Sequence, residues 1–203
     1  MHSNFLNLAA TTAVTAEQQK YYGRATTTAE TLPPDELSDV ERGFIAARDS
    51  FYMATVTETG WPYVQHRGGP PGFLQVLGPR TLAFADLKGN RQMLSTGNLR
   101  ASDRVALFLM DYPQRARLKI LGHAIVRSAV EQGEFAAQLM RRFGGEVERI
   151  ITIEVVGFDW NCPKYITPRY TMSEIESLVA PLKSRIEELE KQSQAARQAS
   201  ASL

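Results

Sequence analysis

One cysteine in 203 residues, Cys162, excludes an internal disulfide. Three histidines, at positions 2, 66 and 123, lack the spacing of a metal-ligand set. Charge of one sign is also missing: 23 basic against 22 acidic side chains leave a net charge of +1. The chain therefore has no general field for nucleic acid or an acidic membrane, and any anion selectivity must be local. No run of about 18 apolar residues is present, and the N-terminus has neither a basic start nor an apolar signal core. The expectation is a cytoplasmic chain that neither spans a membrane nor binds nucleic acid. What is present is an ordinary globular composition, 43% hydrophobic and 22% charged.

The pattern along the chain divides it into three expected parts. Residues 1–34 are polar and Thr/Ala-rich and read as an arm, with a short helix around Glu17 to Tyr22 behind a Thr15-x-x-Gln18 pattern. Residues 35–172 read as the main domain, and 173–203 as an amphipathic helix with a polar tail. Within the main domain, Ser38-x-x-Glu41 is a capping box ahead of a helical stripe of Val40, Phe44, Ile45 and Ala47. The period then changes to two. "FYMATVT" and "WPYVQHR" flank the turn "ETG", and residues 72–86 form a second hairpin turning at Gly78-Pro79. Three further strands follow at 103–111, 117–128 and 149–160, with one internal helix at 131–143. Many strands with short turns and few helices predict a mainly β chain closed or half closed into a barrel, because closure removes exposed edges. At the C-terminus, Ser173-x-x-Glu176 is expected to cap a helix in which Ile175, Leu178, Leu182, Ile186 and Leu189 make one stripe.

The stretch "ADLKGNRQMLSTGNL", residues 85–99, follows a strand and is a candidate anion seat. Asn90 is placed to cap a short helix through Arg91, Gln92, Met93 and Leu94, and a helix start offers unpaired N–H groups and positive dipole charge. Arg91 adds a forked donor matched to phosphate oxygens. Ser95 and Thr96 are further hydroxyl donors, and Lys88 reads as solvated. Two strands add cationic faces. Alternation puts Gln65 and Arg67 on one side of "YVQHR", and Arg117, Lys119 and His123 on one side of "RLKILGH". In "GFDWNCPKYITPRY", an ordered non-helical strap presents Trp160, Asn161 and Arg169, a ring and fixed donors suited to a flat heteroaromatic ligand.

Together "FIAARDSFYMATVTETGWPYVQHRGGPPGFLQV", "LAFADLKGNRQMLSTGNL", "RARLKILGHAIV" and "DWNCPKYITPRY" resemble the pyridoxamine 5'-phosphate oxidase-related FMN-binding proteins over roughly residues 40 to 170. The resemblance implies a split β-barrel with flanking helices, a homodimer, and FMN at the dimer interface. Carried over, Gln65, His66 and Arg67 would line the flavin, and Ala85 and Asp86 would lie along it. Asn90, Arg91 and Gln92 would hold the phosphate, while Arg117, Trp160 and Arg169 would reach the cofactor.

The departures are specific. Arg91-Gln92 stands where the oxidase has a basic pair, Ala85-Asp86 replaces its Tyr-Thr pair, and "TPRYTMSE" replaces its late Arg-Leu-His substrate signature. The implied function is therefore an FMN-dependent oxidoreductase acting on something other than pyridoxamine phosphate, with NADPH or NADH as candidate electron donor. The alternatives are a non-catalytic flavin carrier or redox sensor, and the same barrel holding a deazaflavin. Haem fits less well, because neither His66 nor His123 sits in an axial-ligand context.

Overall fold

A computed structural model describes residues 4–28, 32–89, 91–160 and 163–201. In chain order the elements are α1 (Asn4–Ala9), α2 (Thr12–Tyr22), α3 (Asp39–Ala46), β1 (Ser50–Val56), β2 (Pro62–Gly68), β3 (Gln75–Val76) and β4 (Thr81–Leu87). They continue with α4 (Leu94–Ala101), β5 (Arg104–Asp111), β6 (Ala116–Ser128), α5 (Ala129–Phe143), β7 (Val147–Trp160), a single 3-10 turn (Pro163–Tyr165) and α6 (Met172–Ala201). These form two compact units: Met1–Asp111 with Ala116–Tyr165, and Tyr112–Arg115 with Ile166–Leu203.

The first unit is built on one antiparallel sheet ordered β2-β1-β5-β6-β7-β4-β3. Strict alternation in β1 and β5 buries Phe51 and Met53, and Val105, Leu107 and Leu109, while their neighbours stay accessible. The sheet curls around these side chains. Phe51 of β1 meets Phe84 of β4 edge-on at a centroid distance of 5.2 Å, although the two strands are not neighbours in the sheet. Each such fully buried side chain contributes about 1.5–3 kcal/mol relative to exposure. The curled sheet is not closed by hydrogen bonds: among the described residues, edge strand β2 pairs only with β1. The result is a split β-barrel with flanking helices, as the resemblance implied; the strand pattern alone implied a barrel closed or half closed.

Strands β4 and β7 depart from alternation because they are covered on both sides. Leu82 and Phe84 point into the main core, whereas Ala83 and Ile150 pack under α5 against Ala136 and Leu139. Two irregularities bend the ladders. One lies between Leu121 and Gly122 opposite β7, where a Cβ on Gly122 would stand 2.5 Å from the Glu154 carbonyl oxygen. The other lies between Asp86 and Leu87, beside the cleft described below.

The helices show where local signals held. Ser38 and Glu41 form the expected capping box at α3, and Ile45 is buried. Val40, expected on the same stripe, is 67% exposed. A second box, Ser128 with Glu131, starts α5 two residues before the expected helix. At the N-terminus α2 begins at Thr12 rather than near Glu17, without a side-chain cap. The first turn of the presumed arm is packed: Asn4 is buried and its amide nitrogen donates to the Val156 carbonyl of β7 at 2.9 Å. Gly157 makes that approach possible, since a Cβ there would meet Phe5 N at 2.6 Å.

The second unit contains α6. Its cap is Thr171 with Glu174, not Ser173 with Glu176: the Thr171 N–H donates to Glu174 Oε2 at 2.7 Å. Both pairs have capping spacing, but with Thr171 flanking the first helical residue Glu174 falls at the third helical position, where the reciprocal bond forms. The helix also continues through the polar stretch to Ala201. Among the described residues no helix is long and apolar enough to cross a membrane.

Candidate functional site

The barrel's open seam holds a cleft of about 220 Å³ between β2, the end of β4, the start of β7 and the N-terminus of α4. Strand alternation delivers the β2 wall. Tyr63, Gln65 and Arg67 face inward, half-buried, while Val64 and His66 face outward. The opposite wall is Asp86 from β4 with Glu148 and Arg149 from β7. Gly89 and residues 91–96 form the rim, with Arg91, Gln92 and Met93 among them.

A charge network spans the seam. Asp86, 6% exposed, accepts from Arg67 Nη1 at 2.7 Å through one carboxylate oxygen and from Arg149 Nε at 2.8 Å through the other. Arg149 Nη2 also binds Glu148 Oε2 at 2.8 Å. Burial pulls the Arg149 pKa down, but the hydrogen bonds and charges of Asp86 and Glu148 outweigh it, so its pKa lies above the ordinary arginine value. Arg67 lies over the Phe84 ring at 5.6 Å, and its Nε is buried without a hydrogen-bond partner. With Arg91 on the rim, three guanidinium groups meet two carboxylates, so the cleft is locally cationic in a chain that is nearly neutral.

Ser95, buried at the first turn of α4, donates to Gln65 Oε1 at 2.8 Å. That occupies the Gln65 acceptor and leaves its amide N–H groups as what Gln65 can present to a ligand. Deeper in, Asn98 holds Thr55 at 2.9 Å and anchors α4 to β1. The helix itself starts at Leu94, not at residue 90. Arg91 (φ 61°) and Met93 (φ 57°) lie in the left-handed region, which cannot propagate a right-handed helix. Two such residues on one rim hold backbone strain of about 1–3 kcal/mol each, a pattern that concentrates at ligand sites. Asn90, expected as the cap, lies outside the described residues, as do Asn161 and Cys162.

Of the residues singled out in the sequence, the cleft brings together Gln65, Arg67, Asp86, Arg91 and Gln92. The others stand elsewhere. His66 is exposed on the far face of β2, edge-on to Tyr52 at 5.6 Å. Ala85 packs toward α5. Arg117 lies over Phe108 at 5.3 Å. Trp160 is edge-on to Phe44 at 4.8 Å and donates from Nε1 to Glu41 at 2.8 Å. Arg169 belongs to the second unit, where it covers Tyr112 at 5.0 Å. Lys88 is paired with Glu146 at the surface, outside the cleft lining. Arg149 and Glu148 were missed: they sit at the start of an apolar strand, and only the β4–β7 pairing of Asp86 with Arg149 reveals them.

The family model described as pyridoxamine 5'-phosphate oxidase matches residues 37–159. No curated protein sequence matches the chain. Among solved structures, HupZ of Group A Streptococcus superposes with a TM-score of 0.51 at 13% identity, covering 60% of this chain and 91% of that one. A variant of the same protein gives 0.51 at 12% identity, covering 61% and 98%. An FMN-binding protein of Syntrophomonas wolfei subsp. wolfei gives 0.44 at 14% identity, covering 60% and 83%. At these identities the likeness to HupZ is one of fold.

Proposed function

Because the chain belongs to the pyridoxamine 5'-phosphate oxidase family, we propose that it binds FMN and acts as an FMN-dependent oxidoreductase on a substrate other than pyridoxamine phosphate. The observation that carries the cofactor assignment is the seam itself: three guanidinium groups and the orphaned Arg67 Nε, gathered at the start of a helix. Asp86 and Glu148 offset two of these three charges, which leaves one guanidinium charge and the Arg67 Nε donor unmatched, and a phosphate monoester supplies acceptors and charge in one group. The substrate exclusion rests on "TPRYTMSE" standing where the oxidase has its Arg-Leu-His signature.

The roles follow from placement. Arg91 and Gln92, exposed on the rim, close on the phosphate, and the first N–H groups of α4 face the same anion. Arg67 stays fixed by Asp86, so it presents charge without a large loss of side-chain freedom on binding. Gln65, oriented by Ser95, offers a neutral donor beside it. When bound, the flavin ring supplies hydride or electron transfer, and the protein's part is binding and electrostatics. At 220 Å³ the cleft is smaller than the roughly 300–1,000 Å³ of a typical small-molecule site. It suits the phosphate end, and a second copy of the chain supplies the remaining wall, making the working form a homodimer with NADPH or NADH as candidate donor.

The test is the visible spectrum of the purified protein and an FMN titration of Arg91→Ala. One charge-assisted hydrogen bond is worth about 1.5–3 kcal/mol, so the variant binds FMN roughly ten- to a hundredfold more weakly. Unchanged affinity refutes the role of Arg91. A protein that takes up flavin but is not bleached by NADPH or NADH would indicate another electron donor or a carrier.

A further inference from the structure

We propose that α6 pairs in parallel with α6 of a second copy of this chain as a short two-stranded coiled coil. The helix runs 30 residues from Met172 to Ala201. Along it Met172, Ile175, Val179, Leu182, Ile186 and Leu189 recur at alternating steps of three and four. That is an unbroken heptad seam of period 3.5, the spacing that supercoils two helices around each other. Five of the six are at least 41% exposed, with Leu182 at 63% and Ile186 at 55%. An apolar stripe running from Met172 to Leu189, three a/d layers open to water, is an interaction surface.

Composition and charge select the occupant. In the last two heptads Leu182 and Leu189 stand at d with β-branched Val179 and Ile186 at a, the combination that favours two parallel strands, while the first heptad has Met172 at a and Ile175 at d. In that register Arg185 is at g and Glu190 at the following e, so each Arg185 faces Glu190 of the second copy, and symmetry makes the pair twice. Arg185 now holds Glu188 on its own helix at 2.8 Å with both side chains more than 60% exposed. Such a surface pair is weak and readily exchanged. Leu178, at g, widens the seam. Pro181, inside the helix, is at c, away from the partner.

The experiment uses the full chain with Cys162→Ser, so that every thiol is an introduced one. Val179→Cys and Ile186→Cys are compared with Ser184→Cys, at the outward f position, by copper-phenanthroline oxidation and non-reducing electrophoresis with and without FMN. Both a-position variants should give about tenfold more disulfide dimer than Ser184→Cys, because a positions of a parallel pair bring like residues within bonding range. Adding Arg185→Glu to Ile186→Cys should cut the yield roughly two- to fivefold, and Arg185→Glu with Glu190→Arg should restore it. Equal yields at 184 and 186 overturn the proposal, as does absence of dimer at both a positions, which means another surface covers the stripe. Linkage at only one a position overturns the parallel arrangement. None of these outcomes depends on flavin binding.

Discussion

Removing the Asp86 carboxylate is the sharpest probe of the seam. In Asp86→Ala, Arg67 and Arg149 lose the partner they share at 2.7 and 2.8 Å, and two guanidinium groups, 14% and 20% exposed, are left facing each other. Arg149 keeps Glu148 at 2.8 Å, so Arg67 carries the uncompensated charge, and breaking a buried ion pair by deleting one partner costs about 3–5 kcal/mol because the surviving charge stays desolvated. In a chain of this length that corresponds to a Tm fall of about 6–20 °C. Urea unfolding should show a lower midpoint with an unchanged slope, as expected for a local loss in the folded state. Inorganic phosphate should recover more of the lost Tm in the variant than it adds to the parent, since an anion replaces the missing countercharge. A loss below about 1 kcal/mol would mean the network is as dispensable as a surface pair, and no phosphate rescue would mean the seam is not an anion seat.

Glu41 gives a pH signature. Burial raises its pKa, but hydrogen bonds from Ser38 and from Trp160 Nε1 prevail and hold it below the ordinary glutamate value. A depressed folded pKa stabilises at neutral pH and is lost as the pH falls below about 4.3 and through the folded value. Glu41→Gln should therefore flatten the decline of Tm between neutral and acid pH; parallel curves would rule out this role. Glycines separate packing from propensity. Gly122→Ala, with a Cβ 2.5 Å from Glu154 O and 2.8 Å from Ile153 Cγ2, should lose about 1–3 kcal/mol in urea unfolding. Gly97→Ala, on α4 with nothing within 4 Å, should gain about 0.5–1 kcal/mol. The same sign for both would undercut the clash at the β6–β7 irregularity.

Local physics makes much of this protein legible in its sequence. Period-two alternation located the hairpin β1–β2 and the long strands, because a side chain's face on a strand depends only on its parity. The Ser38–Glu41 box marked α3 because both of its hydrogen bonds form within four residues. The same parity put Gln65 and Arg67 together on the wall of the cleft. Local signals failed where distant chain intervened. The α1 turn is held by Val156 and Gly157, some 150 residues away, so a polar arm became part of the first unit. The start of α4 moved to Leu94 because residues 91–93 follow the rim of the cleft rather than their helix propensity.

By itself, then, the sequence determined the element types, the barrel class and the family, all consequences of short-range periodicity and ordered motifs. Only the tertiary structure decided which charges meet. Asp86 selects Arg67 from β2 and Arg149 from β7 because curling of the sheet brings the open edge back to β4 and the β4–β7 register sets Arg149 opposite Asp86. Neither relation is written in the spacing of 19 or 63 residues that separates them.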